Sequence, residues 1–183
     1  MRSPVIRAQF RFYAELNDFL LPERRFQAFQ HPLAASDTVK HVIESLGVPH
    51  TEVDLILVNG QSVSFSHQLQ EGDRVSIYPM FESLDIRPIL RLRPEPLRNI
   101  RFVVDSNLGG LARHLRMLGF DSLYRNNFAG DEIARISSSE KRVLLTRDAE
   151  LLKGRGITHG YYVRTTVPVE QVAEVLRRFD LGF

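Results

Sequence analysis

Phe102-Val103-Val104-Asp105 is followed by Leu108-Gly109-Gly110-Leu111-Ala112-Arg113-His114-Leu115-Arg116-Met117-Leu118-Gly119-Phe120-Asp121. The apolar run reads as a buried strand, and Leu108, Leu111, Leu115 and Leu118 recur behind it at helical spacing. Asp105 therefore stands where a buried strand hands over to a helix, a common location for chemistry in open α/β sheets. Val143-Leu144-Leu145-Thr146-Arg147-Asp148 repeats the arrangement, an apolar strand that ends in a carboxylate. Two such strand ends can bring two acids together.

Around these strands the spacing predicts a strand at 100–104, a helix at 108–118, a short strand near Leu123 and Tyr124, and a helix at 131–138. A strand at 143–145, a short helix at 149–153, a strand at 161–164 and a helix at 169–179 follow. Strands that alternate with helices predict a mainly parallel sheet covered on both faces.

The first half has a different rhythm. Ile6, Ala8, Phe10 and Phe12 alternate with Arg7, Gln9, Arg11 and Tyr13, the period of a half-buried strand. Val39, Val42, Ile43 and Leu46 fall at helical spacing behind a Ser36/Asp37 cap, and Gly47 suits the position just past the helix end. A strand at 53–58 leads into Asn59-Gly60, a hairpin turn because both residues tolerate positive φ. Gly72-Asp73 turns the chain into a last strand at 74–79. Residues 85–96 hold Pro88, Pro94 and Pro96 with Arg87, Arg91 and Arg93. Proline stiffens that stretch and discourages helix, so it reads as a linker, while its guanidinium groups also suit phosphate.

At 183 residues and 43% hydrophobic content the chain is long enough for two small packed cores. The expected division is 1–84, linker 85–96, and 97–183. No apolar stretch approaches the roughly 20 residues needed to span a bilayer, and Met1-Arg2-Ser3-Pro4 lacks the apolar core of a secretory signal. The expected location is the cytoplasm, with no membrane partner. There is no cysteine, which excludes disulfides, a thiol nucleophile and a thiolate zinc site. Residues 1–84 carry 7 Lys+Arg and 10 Asp+Glu (net −3), and residues 97–183 carry 14 and 10 (net +4). The positive excess lies with the second half, as a phosphate-binding domain requires, although a solvated surface would look much the same. A Ser/His/Asp order, a glycine-rich phosphate loop and a dinucleotide fingerprint are all missing.

The pattern Asp-x-x-Leu-Gly-x-Leu-Ala-Arg-x-Leu-Arg-x-Leu-Gly-x-Asp from Asp105, the acidic pair Asp131-Glu132, and Leu144-Leu145-Thr146-Arg147-Asp148 closely resemble the Mut7-C RNase family, which is PIN-like. The resemblance runs from Ile100 to about Phe179. From Val5 to about Glu82 the chain resembles the ubiquitin-like, β-grasp domain often found in front of Mut7-C. It implies a β-grasp domain followed by a three-layer α/β/α domain. Members of the family commonly carry a C-terminal zinc ribbon, and none is expected here. The β-grasp likeness extends to small sulfur carriers, but no Gly-Gly follows Pro79-Met80-Phe81, so no carrier role is expected.

Hydrolysis of a phosphodiester requires charge neutralisation on the phosphate and a nucleophilic water, and clustered carboxylates supply both by holding Mg²⁺ or Mn²⁺. Asp105, Asp131 and Asp148 are the expected metal ligands, converging at one sheet edge as a PIN-like topology implies, with Glu132 as a further acid. Asp131 has a competing reading as a helix-dipole acid, and Asp148 has one as a helix cap. Arg113 and Arg116, three apart on one helix, are expected to bind substrate phosphate or else to pair with the carboxylates or solvent. Arg147 is a further phosphate candidate. Thr146 would orient Asp148 or a metal-bound water, or else satisfy backbone. Ser106 and Asn107 are expected to cap the following helix. The expected activity is a metal-dependent endoribonuclease acting on RNA, single-stranded or structured, tRNA included. The β-grasp domain would position RNA or bind a protein partner, and PIN-like nucleases often form homodimers. The alternative is a non-catalytic RNA- or protein-binding adaptor on the same scaffold.

Overall fold

The computed structural model describes residues 6–79 and 100–181. The chain divides into two compact units, Met1–Glu95 and Pro96–Phe183. The Pro/Arg-rich stretch 85–96 lies outside the described residues.

In the first unit, strand β1 (Ile6–Phe12) buries Ala8, Phe10 and Phe12 and exposes Arg7 and Arg11, as its alternation demands. It pairs antiparallel with β2 (Phe29–Leu33) and parallel with β5 (Arg74–Tyr78). Strand β3 (Leu55–Val58) pairs antiparallel with β5 and with β4 (Gln61–Ser62), giving the order β2-β1-β5-β3-β4. Helix α1 (Val39–Ser45) lies in the long connection that the parallel pairing requires. Its Val39, Val42 and Ile43 join Phe10, Phe12, Ile56 and Ile77 in one core. This is a ubiquitin-like β-grasp sheet, packed on one face.

Three local differences from the sequence reading have simple causes. The cap of α1 is Thr38, whose hydroxyl accepts from the His41 amide at 3.3 Å. Asp37 turns back instead to accept from the Ala34 amide at 2.8 Å. Strand β3 begins only at Leu55, because Pro49 sets up a 3-10 turn over His50–Glu52. Strand β2 carries no clear sequence signal, since Pro32 interrupts it; an edge strand tolerates that residue because one side needs no ladder donor. The Asn59-Gly60 turn forms as expected, with φ of 50° and 84°.

In the second unit, β6 (Phe102–Val104) occupies the middle of an all-parallel sheet of order β7-β6-β8-β9. Its neighbours are β7 (Ser122–Tyr124) and β8 (Val143–Thr146), with β9 (Gly160–Tyr162) at the far edge. Phe102, Val104, Val143 and Leu145 face α2 (Gly109–Met117) and α5 (Pro168–Arg178). Val103 and Leu144 face the opposite way, toward α3 (Gly130–Glu140) and α4 (Ala149–Leu152). Alternate residues of one strand thus feed two separate cores, and the result is the expected three-layer α/β/α arrangement. No helix among the described residues is long and apolar enough to cross a membrane.

The opposite, N-terminal end of this sheet is tied by Arg142. Its buried guanidinium donates to the Phe102 carbonyl at 3.1 Å, to both Asp121 oxygens at 2.8 and 3.2 Å, and to Glu140 at 2.6 Å. The hydrogen bond from Arg142 holds the Asp121 carboxyl below its ordinary pKa of 3.8, against a smaller opposing effect of burial. A depressed carboxylate contributes stability that is present above its unfolded value and lost as pH falls through its folded one. Arg142→Met should therefore lower the stability of this unit by about 1–3 kcal/mol, because the Phe102 carbonyl loses its buried charged donor. It should also remove the Asp121 share of acid destabilisation below about pH 4. Urea melts at pH 7 and pH 3 test both; an unchanged midpoint at pH 7 contradicts the role given to Arg142.

Candidate functional site

Adjacent strands β6 and β8 send their following helices to opposite faces of the sheet, α2 to one and α4 to the other. Diverging crossovers leave a crevice at the C-terminal ends of the two strands, where open α/β sheets bind ligands. The first residue past β6 is Asp105, and the last residue of β8 is Thr146.

Thr146 is fully buried and uses its hydroxyl twice. It donates to Asp105 Oδ2 at 2.7 Å and accepts from the Asp148 amide at 2.9 Å. The Asp105 amide in turn donates to the Leu145 carbonyl at 3.0 Å, continuing the β6–β8 ladder one residue beyond the strand. Ser106 Oγ approaches Asp105 Oδ1 at 3.2 Å. Asp105 is half-buried, so each of its oxygens meets one hydroxyl and keeps lone-pair capacity for a further partner. A carboxylate this close to a buried strand end needs such donors.

Asp148 is exposed and caps α4, Oδ1 accepting from the Glu150 and Leu151 amides at 2.9 and 3.3 Å. The cap reading foreseen for it is thus fulfilled, and its second oxygen has no protein partner among the described residues. Asp131 is exposed in the first turn of α3. The start of that helix lies against α4, since a Cβ on Gly130 would come within 3.6 Å of Leu151 Cδ1. Glu132 accepts from Arg125 Nη1 at 3.1 Å, and the same Arg125 covers the Phe128 ring. The expected acids are therefore gathered at one end of the sheet without forming a tight cluster. Among the described residues no group of three or more Asp, Glu or His side chains could hold a metal ion. Capping explains the difference, because it turns Asp148 into its own helix. Mg²⁺ needs fewer protein ligands than such a group: it takes one or two carboxylates and completes its shell with water and substrate phosphate.

The arginines divide by partner. Arg113 is exposed on α2 and has no partner among the described residues. Arg116, expected beside it on the substrate, instead reaches β7, donating from Nε to the Ser122 carbonyl at 2.8 Å and from Nη2 to the Tyr124 carbonyl at 3.5 Å. Arg147 Nη1 donates to the Val163, Arg164 and Thr165 carbonyls at 3.3, 2.6 and 2.7 Å. Glu174 holds the same segment from the other side, accepting from the Arg164 and Thr165 amides at 2.8 and 3.2 Å. Arg147 thus fastens the chain after β9.

Two residues take roles other than those expected from the sequence. Ser106 leaves α2 uncapped and turns to Asp105. Tyr124, at the end of β7, donates its hydroxyl to the Ser106 carbonyl at 3.1 Å. Its ring also explains Gly109, where a Cβ would lie 2.6 Å from the Tyr124 hydroxyl. Gly110 packs against Pro168 of α5, with a Cβ position 2.9 Å from Cγ. The glycine pair therefore serves close packing. A tyrosine at a strand end beside an acidic strand end was the available signal.

Residues 5–85 match the family described as Mut7-C ubiquitin, and residues 100–183 match the family described as Mut7-C RNAse domain. No curated protein matches the chain. Among solved structures, small archaeal modifier protein 1 of H. volcanii is 15% identical with a TM-score of 0.33, covering 40% of this chain and 97% of its own. A putative molybdopterin converting factor, subunit 1, from Pyrococcus furiosus is 19% identical with the same TM-score of 0.33 and the same coverage, 40% and 97%.

The Thr146 bridge is testable through stability alone. Thr146→Val keeps the shape and removes both hydrogen bonds, at an expected cost of about 1–3 kcal/mol. Combined with Asp105→Ala, the losses should be non-additive by about 0.5–3 kcal/mol. Denaturant titration of the four proteins measures this, and simple additivity would mean that the bond is not made.

Proposed function

We propose that this chain, in which a Mut7-C ubiquitin domain is followed by a Mut7-C RNAse domain, is a metal-dependent endoribonuclease that hydrolyses RNA to leave 5′-phosphate ends. The family is of nuclease type, and the observation that carries the finer reading is the Asp105–Thr146–Asp148 bridge at the switch-point crevice. A buried threonine whose hydroxyl donates to the Asp105 carboxylate and accepts from the Asp148 amide keeps two acidic residues adjacent at an edge where open α/β sheets bind ligands.

In this reading Asp105 and Asp148 would hold Mg²⁺ or Mn²⁺, with Asp131 and Glu132 available at the same edge. The ion, when bound, neutralises charge on the phosphate and makes a bound water more acidic. Thr146 and Ser106 keep Asp105 oriented by donating to it, so Asp105 remains an acceptor for the proton of the attacking water. The water oxygen bonds to phosphorus, the bond to the 3′ oxygen breaks, and that oxygen takes a proton from solvent. Arg113, exposed on the helix that follows Asp105, is a guanidinium suited to the RNA phosphate. Arg116 and Arg147 act by fixing β7 and the segment after β9. The functional unit acts in the cytoplasm, alone or as a homodimer.

A second reading, a non-catalytic RNA- or protein-binding adaptor, draws on the looseness of the acids, since no trio among the described residues could hold an ion unaided. Against it, negative charge at a binding edge repels RNA unless a cation is bound there.

Labelled total RNA incubated with wild type and with Asp105→Asn, each in Mg²⁺, Mn²⁺ or EDTA, separates the two. Metal-dependent cutting is expected, reduced about 10²–10⁴-fold in the variant. Mn²⁺ should also raise the melting temperature of the wild type. Cutting by Asp105→Asn at the wild-type rate, or cutting undiminished in EDTA, would overturn the assignment.

A further inference from the structure

The β-grasp sheet covers its core with α1 and leaves its other face to different residues. On that outer face β1 presents Arg7, Gln9, Arg11 and then Tyr13, while β5 presents Arg74, Ser76 and Tyr78. The parallel register sets Gln9 against Arg74 and Arg11 against Ser76, so Arg11 and Arg74 are diagonal neighbours across two strands. Between them lies a groove of about 260 Å³, bordered by Gln9, Arg11, Asn59, Gly60, Arg74 and Ser76.

The charge here runs against that of the surrounding residues. Residues 1–84 hold 7 basic and 10 acidic side chains, yet three of the seven, Arg7, Arg11 and Arg74, project from this one face. All three are exposed. The acids nearest the groove are already engaged: buried Asp73 accepts from Asn59 Nδ2 at 2.8 Å and from the Gln70 amide at 2.8 Å. Glu71 accepts from the Arg7 amide at 2.6 Å, at the Arg7 end of the strand. Arg74 has no side-chain partner among the described residues, and no carboxylate there pairs with Arg11.

Arg11 is also held in place. Its guanidinium lies over the Tyr13 ring at 5.0 Å, and Tyr13 stacks on Tyr78 with centroids 4.3 Å apart and planes 12° from parallel. A guanidinium stacked on an aromatic face keeps its N–H edge free, so less side-chain entropy is lost when that edge meets a phosphate. Unpaired arginines beside polar side chains on an open sheet suit a flexible, single-stranded phosphodiester chain; a duplex would need a broader footprint.

We propose that the groove between Arg11 and Arg74 on the outer face of the β-grasp sheet binds the backbone of single-stranded RNA. The proposal rests on the nuclease reading for the identity of its ligand, and on the sheet face for its position. It makes the β-grasp domain an RNA-holding surface distinct from the Asp105 crevice, with affinity that does not depend on sequence.

The test uses the whole 183-residue chain carrying Asp105→Asn, so that RNA is not consumed. Fluorescence anisotropy of a labelled single-stranded oligoribonucleotide is followed across salt concentrations, with and without Arg11→Gln and Arg74→Gln together. Lys40→Gln, on the helix that packs on the core face, serves as the control. The double variant should bind about tenfold or more weakly, and its plot of log affinity against log salt should be shallower by about 1.4, two phosphate contacts at the single-strand value. The control should match the parent, and all proteins should share one melting temperature. An unchanged affinity and slope in the double variant, or an equal loss in Lys40→Gln, overturns the proposal and leaves the face to an acidic protein segment. If wild type fails to cut RNA while the double variant still loses binding, the nuclease reading falls and the RNA-binding face stands.

Discussion

The parallel pairing of β6 with β8 is the constraint on which the second unit depends. Both strands are buried on both faces, so their residues from Phe102 to Val104 and from Val143 to Leu145 must be apolar. Polar side chains return only where the strands end, and at that level Asp105 and Thr146 are neighbours. The Thr146 hydroxyl cannot reach water there, and it satisfies its donor on Asp105 and its acceptor on the Asp148 amide. One buried hydroxyl thus fixes the relative positions of two acidic strand ends.

The arginines obey the same rule of satisfaction. Arg142 and Arg147 spend donors on backbone carbonyls at opposite ends of the sheet, and Arg116 secures β7. Each is an ionic group doing the work of a capping residue, since parallel strand ends leave carbonyls that no neighbouring strand can reach. Arg113 on α2, and Arg11 and Arg74 on the β-grasp sheet, have no such duty. Exposed guanidinium groups that no carboxylate or carbonyl occupies suit an anionic ligand.

Much of the fold was legible in the sequence. The alternation of Ala8, Phe10 and Phe12 marks a strand with one wet face, the unbroken run of Phe102 to Val104 marks one with none, and Leu108, Leu111 and Leu115 mark the helix that follows. What escaped was β2, whose Pro32 masks an edge strand, and the true cap of α1, because Asp37 and Thr38 compete for the same turn. The site was legible in its residue types and less so in its geometry. Asp105 and Thr146 were identified, but their bond depends on two strands 41 residues apart in sequence lying in register. Gly109 makes room for Tyr124, a contact between residues that no local pattern relates.

By itself the sequence determined the two-part organisation of the folds, the parallel character of the second sheet and the placement of carboxylates at strand ends. It did so because hydrophobic periodicity and strand-to-helix handover are local properties that each segment carries alone. Tertiary structure alone decided which acids share a hydroxyl, which arginines are consumed by backbone and which stay open, and that Asp148 turns into its own helix. Those outcomes follow from strand order and register, which bring distant donors and acceptors together and require each buried polar group to find a partner.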